Sequence, residues 1–195
     1  MFTEKITNNM GIYFSGPLLI KPKLNKDERG YFFESWNQRV FNKLFNKDIS
    51  FYQDNESYST HGVLRGLHFQ LNPNSQGKLI KVSHGEIFDV ILDLRKDSPT
   101  FLNWFGIKLN DTNNFQIWVP SGFAHGFLTL SIEARVSYKV TSYWTKEYER
   151  TLIWNDPKIS IEWPLNKLNI PAPILSTKDL NGNYIEDLIK KGETF

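Results

Sequence analysis

From residue 51 onward the chain is a series of short segments rich in aromatic and β-branched residues. They fall at 51–58, 63–70, 78–83, 87–94, 104–109, 115–119, 127–130, 135–143 and 159–163, with Gly, Pro, Asn or Asp between them. Segments this short read as strands, and strands that follow one another with turns such as His84-Gly85 bury their apolar faces as an antiparallel sandwich or barrel. There is no alternation of strands with helices, no internal repeat and no low-complexity segment. Upstream, residues 12–21 form an apolar run that contains Pro17 and reads as an edge strand, since proline cannot donate to a central ladder. Lys26-Asp27-Glu28-Arg29-Gly30 is a charged turn before an aromatic strand at 31–35. Asn37 is placed to cap a helix whose Val40, Phe41, Leu44 and Phe45 recur at helical spacing, the only helix expected in the first 170 residues. The tail from Asn166 carries Pro171 and Pro173 and one short helix at 184–191, and is expected to pack on the barrel. A length of 195 residues suits a single domain spanning 1–195, with an N-terminal strand extension.

Composition narrows the function. A net charge of +2, with acidic and basic residues mixed along the chain, provides no polycationic surface for nucleic acid or membrane, so any anion binding is local. The absence of cysteine removes disulfides, thiolate metal sites and a cysteine nucleophile, and is compatible with a reducing compartment. Residues 1–16 have no uninterrupted apolar core, and nowhere is there a run of ~18 apolar residues. A cytoplasmic protein is expected.

One stretch concentrates the chemistry. Gly62-Val63-Leu64-Arg65-Gly66-Leu67-His68-Phe69-Gln70, with Lys78 following, places a base, cations and an amide on or beside a segment apolar enough to be buried. Burying such groups is costly unless they are used, so the stretch reads as a pocket wall. Of the four histidines, His61 and His84 each precede a glycine in a turn and read as loop residues. His68 and His125 sit among glycine and aromatic residues in strands or strand ends, where their ring nitrogens need partners.

Gly62 to His68 resembles the start of the first motif of the cupins, a jelly-roll superfamily, and Pro120-Ser121-Gly122-Phe123-Ala124-His125-Gly126-Phe127 resembles the second. Cupins usually hold a metal through two histidines and a glutamate of the first motif and one histidine of the second. Here Gln70 replaces the second histidine and no glutamate follows at the expected distance, which leaves too few ligands for a transition metal. The resemblance is closest to the metal-free nucleotide-sugar epimerases typified by dTDP-4-dehydrorhamnose 3,5-epimerase, and it runs over nearly the whole chain. It includes Asp27 to Gly30, Phe33-Glu34-Ser35, Gln53-Asp54-Asn55, Arg65 to Gln70, Gln76 to Leu79, Gly85 to Val90 and Asp93-Leu94-Arg95. It continues through Ser98 to Phe101, Trp118 to Pro120, the His125 motif, Tyr138 to Thr141, Trp154 to Pro157 and Leu175 to Asp179.

The resemblance implies a cupin-type jelly-roll barrel, a homodimer, no cofactor and a nucleotide-linked 4-keto-6-deoxyhexose as substrate. In such a sugar the hydrogens on C3 and C5 flank the carbonyl, so removing either proton gives an enolate, and reprotonation from the opposite face inverts the centre. A base, an acid and a cation at the C4 oxygen suffice. The resemblance casts His68 as base with Asp179 on its other nitrogen, Tyr138 as acid and Lys78 as the cation. The 135–143 strand agrees, because Tyr138 shares a face with Val136 and Val140 while Arg135, Ser137 and Lys139 share the other. Arg29 and Arg65 carry forked donors suited to a diphosphate. Strand parity puts Arg65 and His68 on opposite faces unless Gly66 holds a bulge. Glu34, Gln53, Asp54, Asn55, His125, Glu149 and Lys178 fall on family positions that line the substrate site, and Trp144 stands where many relatives stack a tyrosine on thymine. Asp89, in an apolar strand, is open to two readings, orienting Lys78 or His68 or serving as a buried structural carboxylate.

Two other readings compete with a 3,5-epimerase of deoxysugar or surface-polysaccharide synthesis. A C3-only epimerase or 3,4-ketoisomerase would use the same base, and a non-catalytic sugar-binding cupin would have no need of His68, Tyr138 and Asp179 together.

Overall fold

The computed structural model describes every residue except Met1, Asn9 and Met10. Its strands are β1 (Phe2–Thr7), β2 (Tyr13–Lys21), β3 (Asn25–Asp27), β4 (Gly30–Phe32), β5 (Gln53–Thr60), β6 (Leu64–Gln70) and β7 (Lys78–His84). Then come β8 (Glu86–Asp93), β9 (Trp104–Asn110), β10 (Gln116–Val119), β11 (Phe123–Thr129), β12 (Glu133–Val140) and β13 (Glu149–Thr151). The helices are α1 (Gln38–Phe45), α2 (Leu165–Leu168), α3 (Thr177–Leu180) and α4 (Ile185–Lys190). One sheet has the order β1-β2-β10-β7-β12-β5 and the other β13-β6-β11-β8-β9, while β3 and β4 make a separate hairpin. From β5 onward the chain changes sheet at every connection except the β8–β9 hairpin, and the pairings are antiparallel. This is the jelly roll that the short, regularly interrupted strands imply.

Period-two alternation decides what lies between the sheets. Ile80 and Val82 of β7, Ile87 and Ile91 of β8, Ile117 and Val119 of β10, Phe123 and Phe127 of β11, and Ala134 and Val136 of β12 form the inner core. The alternate residues are also apolar, because both outer faces are covered. Leu79 and Trp118 face α1, whose Phe41 packs edge-on to Trp118 with ring centroids 5.2 Å apart. Asn37 caps that helix, its side-chain oxygen accepting from the Val40 amide at 3.2 Å. Leu64, Leu67, Phe69, Val90, Leu92 and Leu128 lie under the chain that follows β12, which contributes Leu152, Ile159 and Trp163 and, from the tail, Ile185 and Leu188.

The structure corrects several strand expectations. β2 is interior, flanked by β1 and β10. Pro17 is tolerated because the β10 ladder pairs only Leu18 to Ile20, and the β1 ladder shifts register between Lys5 and Thr7. The 31–35 segment is a strand only through Phe32, paired with β3. The 127–130 strand begins at Phe123, so His125 is interior to it. Residues 159–163 form no strand. Their apolar residues lie flat on the outer face of the second sheet, the local backbone closes in turns, and the Trp163 indole donates to the Trp154 carbonyl at 2.8 Å.

The decisive irregularity is in β6. His125 pairs with His68 and Phe127 with Arg65, so two steps on β11 match three on β6. The extra residue is accommodated at Gly66, with φ +112°. A Cβ there would lie 2.6 Å from Gly126 Cα and 2.7 Å from the His125 carbonyl oxygen. Gly66→Ala therefore forces β6 and β11 apart as well as straining φ. We expect a loss of about 2 kcal/mol or more and a melting temperature roughly 5 °C lower, read by calorimetry. An unchanged melting temperature would show that the close approach is dispensable.

Candidate active site

The bulge turns both Arg65 and His68 into the barrel, where simple alternation would have separated them. His68 Nε2 bonds to Asp179 Oδ1 at 2.5 Å. Asp179 comes from the tail, which is sewn to β6 by the parallel Val63–Ile174 bridge and by the Leu64 amide donating to Ile174. Ser176 caps α3: its Oγ accepts from the Asp179 amide at 3.1 Å and donates to Asp179 Oδ2 at 2.7 Å. Burial pushes the Asp179 carboxyl up, but hydrogen bonds from His68, Ser176 and the Gly66 amide outweigh it and hold the carboxyl below its ordinary range. His68 is lowered from its ordinary value because burial outweighs the pull of Asp179, with the Lys178 and Lys78 charges acting in the same direction as burial. At neutral pH the pair is a carboxylate and a neutral imidazole with Nε2 protonated. Nδ1, which has no partner among the described residues, keeps its lone pair.

Lys78, only 8% exposed, opens β7 and donates to the His68 carbonyl at 3.1 Å. Burial lowers its pKa to about 8, against the attraction of Glu149. Tyr138 projects inward from β12 in the opposite sheet, and burial raises its pKa above the ordinary value. Its hydroxyl has no hydrogen-bond partner among the described residues. His68, Lys78, Tyr138, Trp144 and Glu149 line two adjoining cavities of about 370 and 290 Å³. Gln53, Asn55 and Gln76 complete the first, and Arg65, His125, Phe127, Lys178 and Asp179 the second. Arg65 donates from Nε to Ser59 at 2.9 Å and from Nη2 to the Tyr58 carbonyl at 2.9 Å. Glu149 accepts from Lys178 at 3.0 Å, and Trp144 is held at the mouth by its amide donating to Gln53 Oε1 at 3.1 Å.

Three expected site residues lie elsewhere. Asp54 follows strand parity to the other face of β5, where it pairs with Lys139 at 2.9 Å. Arg29, its side chain 85% exposed, pairs with Asp27 in the β3–β4 hairpin, and exposed Glu34 lies just beyond it. Neither of these two lines the cavities of its own chain. Asp89 bonds to neither Lys78 nor His68; it accepts from His125 Nε2 at 2.7 Å. His61 is a turn residue, whereas His84, expected in a turn, is the last residue of β7; both lie away from the cavities.

Some contributors escaped the sequence reading. Ser176 was legible as the first residue of a Ser-x-x-Asp cap. Gln70, at the position of a cupin metal ligand, accepts from the Thr145 amide at 2.6 Å and donates to the Asn74 and Tyr143 carbonyls, so it ties down the loop that carries Trp144. The donor set at the cupin metal positions does not fit a metal. His68 and His125 each spend Nε2 on a carboxylate, Gln70 is occupied by the loop, and among the described residues no three His, Asp or Glu side chains cluster to hold an ion.

Comparison with known proteins agrees with this geometry. The family model described as dTDP-4-dehydrorhamnose 3,5-epimerase matches residues 12–187. The enzyme of that name from Salmonella typhimurium is 51% identical over 162 residues, 83% of this chain and 86% of that one. A Legionella pneumophila dTDP-6-deoxy-D-glucose-3,5-epimerase, solved with dTDP-4-keto-L-rhamnose, superposes with TM-score 0.87 at 39% identity, covering 99% of this chain and 97% of that one. The Mycobacterium tuberculosis epimerase gives TM-score 0.92 at 34% identity, covering 100% and 93%. With both its sequence and its barrel matched over nearly their full length, the chain belongs to the dTDP-4-dehydrorhamnose 3,5-epimerase family.

Proposed function

We propose that this protein inverts C3 and C5 of dTDP-4-dehydro-6-deoxy-D-glucose to give dTDP-4-dehydro-L-rhamnose, supplying deoxysugar for a surface polysaccharide. The observation that carries the reading is His68, locked through Nε2 on buried Asp179, facing the same cavity as Tyr138 of the opposite sheet. His68 Nδ1 takes the proton from C3 or C5, and the electrons of the broken C–H bond move onto the C4 oxygen. Lys78 stabilises that enolate. Tyr138 Oη then delivers a proton to the carbon from the other face, and solvent restores both groups. The sum is an inversion without redox change. Arg65 and Lys178 supply positive charge for the diphosphate, and Trp144 a stacking surface for the base.

Isotope exchange tests the two faces separately. In deuterium oxide the wild type should place one deuterium at each of C3 and C5; a single label would mean a C3-only enzyme. His68→Ala should lose exchange on the order of a thousandfold. Tyr138→Phe should retain deuterium uptake into uninverted substrate, because the enolate recaptures a solvent-derived proton from His68 on its original face. Normal inversion by Tyr138→Phe would remove tyrosine as the acid.

The pH profile follows from the same groups. His68 works when neutral, so kcat/KM rises as pH passes a value below the ordinary histidine range. Lys78 works when charged, so the rate falls as pH rises through about 8. Tyr138 stays protonated throughout that window. A rate still climbing at pH 9 would discard the role of Lys78 as a cation.

We also infer a homodimer acting in the cytoplasm. No helix among the described residues is long and apolar enough to cross a membrane. β1 is an exposed edge of the larger sheet, and the β3–β4 hairpin exposes Tyr31 and 74% of Phe32 beside Arg29. A partner's cavity would give Arg29 and Glu34 the substrate contact they lack in their own chain. Light scattering at micromolar concentration should give twice the chain mass of 22.8 kDa. A monomer that is fully active would refute this assembly.

A further inference from the structure

A second histidine–carboxylate pair stands beside the first. His125 is the register partner of His68 across β6 and β11, and it lines the cavity that holds His68, Lys78 and Tyr138. Its Nε2 is 2.7 Å from Oδ2 of Asp89, a residue with no exposed surface. Asp89 sits in β8 between Phe88 and Val90, and its inward neighbours on that strand are Ile87 and Ile91. Its other oxygen, Oδ1, is buried with no partner among the described residues. A carboxylate in an apolar strand, left half unsatisfied, costs stability and contributes nothing to packing that a leucine or asparagine would not.

We propose that Asp89 is a positioning residue of this site, holding the His125 ring as its Nε2–H tautomer at the cavity wall and serving as a counter-charge to the Lys78 ammonium. This rests on the epimerase reading of the cavity. With Nε2–H committed to a carboxylate, Nδ1 of neutral His125 can only accept, which suits it to take a hydroxyl of the bound sugar. Besides Asp89 of β8, whose charge reaches Lys78, the charged and titratable groups of the cavity that holds Lys78 are Glu149 from β13, Lys178 and Asp179 from α3, His68 and Arg65 from β6, His125 from β11 and Tyr138 from β12. Glu149 already forms an ion pair with Lys178. Asp179 is spent on His68 and Ser176, whereas Asp89 bonds only to the His125 ring, and its charge favours the ammonium form of Lys78.

Ring nitrogen NMR of the wild-type protein, with His125→Gln to assign the signal, tests the tautomer without turnover. We expect Nε2 of His125 protonated, and a mixed or reversed tautomer in the isosteric Asp89→Asn. In the same variant the Lys78 side chain, followed by carbon NMR, should titrate at lower pH than in the wild type. The alkaline limb of kcat/KM should move with it, and kcat should fall about a hundredfold through misplacement of His125. Asp89→Asn and His125→Gln should be non-additive if Asp89 acts through the ring. A wild-type His125 protonated on Nδ1 would overturn the proposal. So would an Asp89→Asn protein in which tautomer and Lys78 titration are unchanged, whatever its melting temperature. If the wild type epimerises no 4-keto sugar, the functional reading falls while the NMR still decides the role of Asp89.

Discussion

Arg65 and His68 are three residues apart on one strand, and regular pleating would send one into the barrel and the other into the layer beneath the tail. The extra residue at Gly66 removes that conflict, and much else depends on it. With the bulge, Leu64 and Leu67 both face the tail while Arg65 and His68 both face the cavity. The bulge needs a residue that accepts φ +112° and lets the β11 backbone approach within a Cβ's reach, which only glycine does. Gly126 stands opposite, so β6 and β11 meet at two residues without side chains where a pocket wall is built. The Gly66 amide, freed from the regular ladder, turns toward Asp179 at 3.4 Å.

The tail supplies the partner of His68. Asp179 is 111 positions from His68 and reaches it because the tail adds to the start of β6 and buries Ile185 and Leu188 on the outer face of the same sheet. Packing of an apolar tail and placement of the carboxylate that holds His68 are therefore one event. A short capped turn with a buried acid is an economical way to fix a side chain, since Ser176 satisfies both the Asp179 amide and the carboxylate oxygen that His68 leaves free.

The electrostatics of the cavity follow from the same burial. Water is thin around His68 and Lys78, so the imidazole is kept neutral and the ammonium is poised near pH 8, each ready for a role that its exposed form performs less well. Glu149 and Lys178 neutralise one another at the rim. The barrel can thus hold a base and a cation within one small volume without either cancelling the other.

Resemblance to the family supplied the jelly roll and the candidate reacting groups; by itself, the sequence determined an antiparallel sandwich or barrel, the inward face of the strand that carries Tyr138, and the Asn37-capped helix. These depend on local alternation, capping and side-chain chemistry, which are written residue by residue. Parity alone was enough to turn Tyr138 inward, and it would have turned Asp54 away had it been applied to β5. Tertiary structure decided what depends on partners distant in the chain. Whether residues 159–163 became a strand turned on whether a sheet edge was free, and instead they were laid across a face. Whether Arg65 and His68 shared a side depended on the register of β11, and whether Asp89 served His68, Lys78 or His125 depended on which ring lay beside it in the sheet. Arg29 and Glu34 carry side chains suited to a nucleotide sugar, but their hairpin leaves the barrel. Their distance from the cavity is set by the path of the backbone and not by their chemistry.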